Sequence, residues 1–198
     1  MILIGISTDE ETLEDVIAKV PEYLRKSPEI AHAISGIAKE RGNLAETQKW
    51  REMALANDTG QSPHFKAALA AVLIEQVLTN RTVILTNQVD ALKKAQLEQA
   101  VQLLSEAWEC VVNTELRFAR SDWVINRSTV YEILGHLEAS IKDVDTALEL
   151  EPSNPVFIRS KARLLSKTGK TQEAVPLLKS IQNAKETPEV PIMLADVL

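Results

Sequence analysis

Three histidines, His32, His64 and His136, and one cysteine, Cys110, are the side chains from which a metal cage or a thiol nucleophile would have to be built. A zinc site needs three or four such ligands, commonly two histidines one helical turn apart, and no two histidines here stand at i, i+4. His136 adjoins Gly135 and is expected at the surface. His32 and His64 fall on equivalent faces of adjacent helices, so their rings can approach one another, yet two imidazoles without a third ligand make no cage. A lone cysteine forms no intramolecular disulfide, and in helical surroundings Cys110 reads as a small buried hydrophobe. The paired acids Glu10-Glu11 and Glu149-Glu151 lie near helix ends on solvated faces, without the dry setting that general acid-base chemistry uses. With six glycines the chain holds no phosphate loop and no dinucleotide fingerprint. Trp50, Trp108 and Trp123 sit inside helical patterns and are expected to pack rather than to stack on bases. No catalytic residue, metal or cofactor is expected, and the chain reads as a non-enzyme.

The elements that carry these residues are helices. At 198 residues, 45% hydrophobic and 25% charged, the chain can bury a core, and with only 4% aromatics that core must be built from Leu, Ile, Val and Ala. A net charge of −6 argues against a general grip on nucleic acid, which needs clustered Lys and Arg. No apolar run approaches the roughly 18 residues of a membrane span, and the opening MILIGIS lacks a basic leader and a cleavage pattern. The expectation is a cytoplasmic protein that does not engage membranes.

Thr8 and Glu11 have capping-box spacing, and Leu13, Val16, Ile17 and Val20 then form one apolar stripe that Pro21 interrupts. Ser27-Pro28 and Ser62-Pro63 each combine an N-cap candidate with proline at the first helical position. Further along, the segment Ser121 to Pro152 lies on the segment starting at Pro155 with an offset of 34 residues: Gly135 falls on Gly169, Ser140 on Ala174, Val144 on Leu178. A self-match at that period, with a turn glycine between two helical patterns, means paired helices stacked as a solenoid.

A weaker copy runs from Pro28 around Gly42, and a distorted one starts at Pro63 and resumes at Leu97. Between its helices, residues 79–95 read as an insertion in the turn, with a short helix near Asp90 to Lys94, because β-branched residues and Asn are poor helix formers. One domain is expected over residues 1–198, with repeats at 28–61, 62–120, 121–154 and 155–188 and a partial one at 189–198. The last helix, opening at Pro188, has no partner for its apolar face, so the chain reads as one segment of a larger multidomain protein.

These residues resemble the tetratricopeptide repeat (TPR) family, whose pattern places a small residue at position eight, a large apolar or aromatic one at eleven, glycine near fifteen, alanine at twenty and twenty-seven and proline at thirty-two. Counted from Ser121, the chain offers Ser128, Tyr131, Gly135, Ser140, Ala147 and Pro152; counted from Pro155 it offers Ala162, Leu165, Gly169, Ala174, Ile181 and Glu186, keeping the middle of the pattern and losing its end. The resemblance implies an all-α, right-handed α-solenoid of antiparallel helix hairpins acting as a protein- or peptide-binding scaffold through its concave groove.

In that family the first helix of each repeat presents positions two, five, six and nine to the groove. Carried over, these are Glu29, His32, Ala33 and Gly36; His64, Ala67, Ala68 and Ala71; Asp122, Ile125, Asn126 and Thr129; Val156, Arg159, Ser160 and Arg163. The lysines and asparagines of the chaperone-tail clamp are mostly missing, since Asn126 alone survives beside Ala67, Ala71, Val156 and Ser160. The expected peptide-binding residues are therefore Asn126, Ile125, Thr129, Val156, Arg159 and Arg163, with the last two engaging an acidic segment through charge-assisted hydrogen bonds. The alternative reading is a structural spacer or self-association module that positions an attached catalytic domain.

Overall fold

A computed structural model describes residues 12–79 and 89–183 of the chain. Among these residues there are nine α-helices and no strand: α1 (Leu13–Lys19), α2 (Pro28–Glu40), α3 (Leu44–Asn57), α4 (Pro63–Leu78), α5 (Ala91–Val111), α6 (Ser121–Ile133), α7 (Leu137–Leu150), α8 (Pro155–Lys167) and α9 (Thr171–Asn183). The helices pair as hairpins, α2 with α3, α4 with α5, α6 with α7 and α8 with α9. Each hairpin then stacks on the next through α3–α4, α5–α6 and α7–α8. The even-numbered helices thus form one layer, in which α4 also touches α6, and the odd-numbered ones form the other.

Three of the hairpin turns are the same object. Gly42, Gly135 and Gly169 adopt φ of 72°, 80° and 78°, a left-handed conformation that costs a side-chain-bearing residue free energy. After each glycine the next amide reaches back five residues, Asn43 to the Ala38 carbonyl, His136 to Tyr131 and Lys170 to Leu165, at 2.8–2.9 Å. This glycine-closed helix end satisfies carbonyls that would otherwise be orphaned and turns the chain into the second helix of the pair.

Small side chains at equivalent positions let the paired helices approach. At position eight stand Ser35, Ala70, Ser128 and Ala162, and at position twenty Thr47, Ala100, Ser140 and Ala174; all are buried. Ser128 and Ser140 satisfy each other across the gap between α6 and α7, with the Ser128 hydroxyl donating to the Ser140 carbonyl at 3.0 Å and the Ser140 hydroxyl to the Ser128 carbonyl at 2.9 Å. Larger residues fill the spaces between hairpins. The most extensive core joins α4, α5 and α6 through Leu73, Val77, Leu97, Leu104, Trp123 and Val130. Trp50 and Trp123 are buried and Trp108 packs against the core, as expected.

Several expectations shift. The segment 91–95, assigned from sequence to the insertion with its own short helix, is the first part of the continuous 21-residue α5. Its N-cap is Asp90, whose carboxylate accepts from the Lys93 amide at 2.9 Å, and the run from Ala91 to Gln96 consists of strong helix formers. The hairpin parity is unaffected, because α5 still pairs with α4. Thr8 and Glu11 lie outside the described residues, and so does the helix expected from Pro188; α1 has a capping box of its own, Thr12 with Asp15. The chain breaks at Pro21 as expected, passing into a single 3-10 turn over Glu22–Leu24. Ser27 and Ser62 do occupy N-cap positions, but neither hydroxyl caps the helix; Ser27 donates instead to Glu29 at 2.6 Å. Cys110 is exposed rather than buried, because it lies one turn beyond Glu106 on the polar edge of α5 while Leu103, Leu104, Ala107 and Val111 face the core.

Candidate groove surface

The even-numbered helices carry every residue assigned to the groove, and their burial follows helical periodicity. Glu29, Ala33, His64, Asp122, Val156 and Arg163 are exposed, while His32, Gly36, Ala68, Ala71, Ile125, Asn126, Thr129, Arg159 and Ser160 are half-buried. Ala67 departs from the pattern. It is only 5% exposed and belongs to the core around α4.

The expected binding residues do not gather at one point. Asn126 lines an open pocket of about 350 Å³ together with Lys39 of α2 and Ala71, Ile74, Glu75, Leu78 and Thr79 of and just after α4. Three successive first helices therefore contribute to one concavity, apolar at Ile74 and Leu78 and polar at its rim. Lys39 and Glu75 close a 2.9 Å ion pair across that rim, from adjacent helices. On α6 the Thr129 hydroxyl is spent on its own helix, donating to the Ile125 carbonyl at 3.0 Å.

Arg163 sits one repeat further on, in a different arrangement. Its Nη2 lies 2.8 Å from Glu132 Oε2, and Lys167 Nζ lies 2.7 Å from Glu132 Oε1. The Glu132 side chain is 6% exposed whereas both cations remain nearly half exposed, so one sunken carboxylate tethers two solvent-facing positive groups. Val156, at the start of α8, exposes half of its apolar surface.

Lys39, Glu75 and Glu132 were absent from the expected set. They stand at positions twelve and thirteen of their repeats, one turn beyond position nine, and the same 3-4 spacing that selects five, six and nine reaches them. Continuing the periodicity to the end of each first helix would have included them.

At the opposite end of the groove His32 and His64 meet, with Nε2 atoms 3.1 Å apart and rings nearly perpendicular at a centroid distance of 4.7 Å. The buried ring of Phe65 lies beside both, 5.5 Å from His32 and 5.9 Å from His64. Burial holds both imidazoles below the ordinary histidine pKa; the neighbouring His64 and the Arg51 guanidinium add to this at His32, and Arg120 and Arg51 at His64, where Asp122 opposes them. His136 is exposed, edge-on to Tyr131 at 6.3 Å.

No group of three or more His, Cys, Asp or Glu side chains suited to a metal is present among the described residues. No helix among those residues is long and apolar enough to cross a membrane.

Comparison with known proteins bears on the fold. No protein-family model matches the chain, and no curated protein matches it. Solved structures do. TTC0263, a thermophilic TPR protein of Thermus thermophilus, superposes with a TM-score of 0.64 at 18% identity, covering 93% of this chain and 86% of that one. YrrB, described as a TPR protein with an unusual peptide-binding site, gives 0.70 at 12% identity, with 93% and 84% covered. MamA gives 0.64 at 14% identity, with 88% and 92% covered. The chain has the tetratricopeptide-repeat fold, an all-α solenoid of stacked helix hairpins.

Proposed function

We propose that the chain is a protein- or peptide-binding scaffold that receives its partner along the face formed by α2, α4, α6 and α8. The observation that carries this reading is the open pocket to which three successive first helices contribute, with Asn126 and the Lys39–Glu75 pair around apolar Ile74 and Leu78. A concavity of that make-up suits a side chain with an apolar body and a polar end, and its neighbours on α8 supply Val156 for apolar contact and Arg159 and Arg163 for an acidic group. The peptide-binding site named for YrrB supports the same reading by analogy of fold. The groove acts by shape and charge; no step of bond making is assigned to it.

The test is a selection of peptides from a displayed library, followed by calorimetry on the variants Asn126→Ala, Leu78→Ala and Arg163→Ala. Selected peptides are expected to lose at least about tenfold in affinity, about 1.4 kcal/mol, with one or more of these changes. A library that yields no binder, or binders indifferent to all three substitutions, removes the groove assignment. A stable dimer in a solution-mass measurement, with no peptide bound, favours the alternative of a self-association module.

A further inference from the structure

We propose that His32 and His64 form a two-imidazole chelate for a late first-row divalent cation such as Zn2+ or Ni2+, joining the first two repeats and leaving coordination positions open on the groove side. The argument starts from distance. Two zinc–nitrogen bonds of about 2.0–2.1 Å that meet at about 100° hold their nitrogens about 3.1 Å apart, and the two Nε2 atoms stand 3.1 Å apart already. Binding therefore requires the rings to swivel so that both lone pairs converge, without any shift of α2 against α4. The backbone positions are fixed by the stack, and Phe65 lies beside both rings.

Protonation favours the same outcome. An ion needs two neutral imidazoles, and a pH of 7.5, above the ordinary histidine value of about 6.5, supplies them. In the ion-free pair only one Nε2 can carry a proton, which it donates to the other. On binding, that proton moves to Nδ1 of its own ring, so both imidazoles stay neutral, one hydrogen bond is given up and two coordinate bonds are gained. The choice of metal follows from the donors, since imidazole suits Zn, Cu and Ni and not Mg or Ca.

The surroundings set the strength of the site. Arg51 from α3 and Arg120 before α6 oppose a cation, and Asp122 on α6 favours one. Nδ1 of His32 is buried without a hydrogen-bond partner, so its N–H lacks the outer acceptor that usually orients a ligating histidine. No third His, Cys, Asp or Glu completes the set among the described residues. The bound ion is thus unsaturated, and its free positions face the same surface as the proposed groove, where a histidine or carboxylate of a partner can enter.

The experiment is titration of the untagged chain with ZnCl2 and NiCl2 at pH 7.5 by calorimetry, with MgCl2 as control and thermal unfolding in parallel. The proposal expects one ion per chain, a rise in melting temperature on adding zinc, and loss of affinity of at least about tenfold in His64→Ala and His32→Gln. His136→Ala should bind as the parent does. His64 is exposed, so His64→Ala keeps the test valid even where the half-buried His32 variant folds poorly. Absence of saturable uptake, uptake unaltered in His64→Ala, or half an ion per chain with dimer formation each overturns the proposal.

Discussion

Arg127 on α6 clasps Asp143 on α7 through two parallel hydrogen bonds, Nε to Oδ2 and Nη2 to Oδ1, each 2.7 Å long. A third bond, from Nη1 to the Ser105 hydroxyl at 3.0 Å, ties the same guanidinium to α5 and so to the preceding repeat. The side chains are 14% and 7% exposed, which leaves either charge stranded if the other is removed. Arg127→Ala is expected to cost about 3 kcal/mol, read as a lower urea midpoint at constant slope. Arg127→Lys should recover only part of this, because an ammonium cannot form the two-pronged contact. A midpoint unchanged in Arg127→Ala would show the clasp to be energetically idle.

Glycines in this chain should answer substitution in opposite directions. Gly135 lies at φ 80°, so Gly135→Ala is expected to destabilise by about 1–2 kcal/mol although an added methyl meets no atom within 4 Å. Gly36 lies inside α2 and also has open space, so Gly36→Ala should stabilise by about 0.5–1 kcal/mol. Thermal melts of the two variants settle the point, and a shift of the same sign in both would contradict it.

Ser128 and Ser140 show why position eight must be small. Their hydroxyls are 2.9 Å apart and both side chains are buried, so α6 and α7 leave no room there for a larger group. Ser128→Val puts a methyl in place of the hydroxyl and adds a second one, and it removes the bond that the Ser128 hydroxyl donates to the Ser140 carbonyl, for an expected loss of about 1–3 kcal/mol. The paired change Ser128→Ala with Ser140→Ala removes both hydroxyl donors without adding volume and should cost less than the single valine. Equal costs would show that the added methyl group is accommodated there and that position eight need not be small.

The fold was legible because its constraints are local and repeated. A turn glycine needed for positive φ, a small residue where helices touch and a period of 34 residues each leave a mark in the sequence, and Gly135, Ser128 and Ser140 carry it. The start of α5 was misplaced because β-branched residues upstream suggested a loop continuing past Asp90, whereas Asp90 itself is the cap. Cys110 was misassigned by residue type alone; its place on the helix wheel decides its exposure. The groove positions were legible from periodicity as far as position nine. Which of them share a pocket depends on how neighbouring repeats are superimposed, and no spacing within one helix reports that, so Asn126 and Arg163 were grouped although they sit in separate arrangements.

The two lowered histidines make a pH prediction whose sign is fixed. In the unfolded chain each titrates near 6.5, whereas burial holds the folded value below this, so between the two values the unfolded state binds more protons. Their contribution to stability is complete above about pH 6.5 and is lost as pH falls from there through the lowered folded values. Denaturant midpoints followed from pH 7.5 to 5 should therefore decline, and the decline should be shallower in His32→Gln combined with His64→Gln. An identical profile in that double variant would assign the acid sensitivity to other groups.

Glu132 decides whether the cations of α8 serve the stack or the partner. Its buried carboxylate holds Arg163 and Lys167 at 2.8 and 2.7 Å, so an acidic peptide that approaches these groups must compete with it. Glu132→Gln removes the competing charge and leaves both cations in place. Because those cations are nearly half exposed and can be hydrated instead, the stability loss should stay below about 2 kcal/mol. The affinity for an acidic peptide from the selection should then rise about fivefold, roughly 1 kcal/mol, and fall again when Arg163→Ala is added. Stability lost without any gain in affinity would show that Arg163 and Lys167 exist to satisfy Glu132, and would move the recognition of any partner back to the pocket around Asn126.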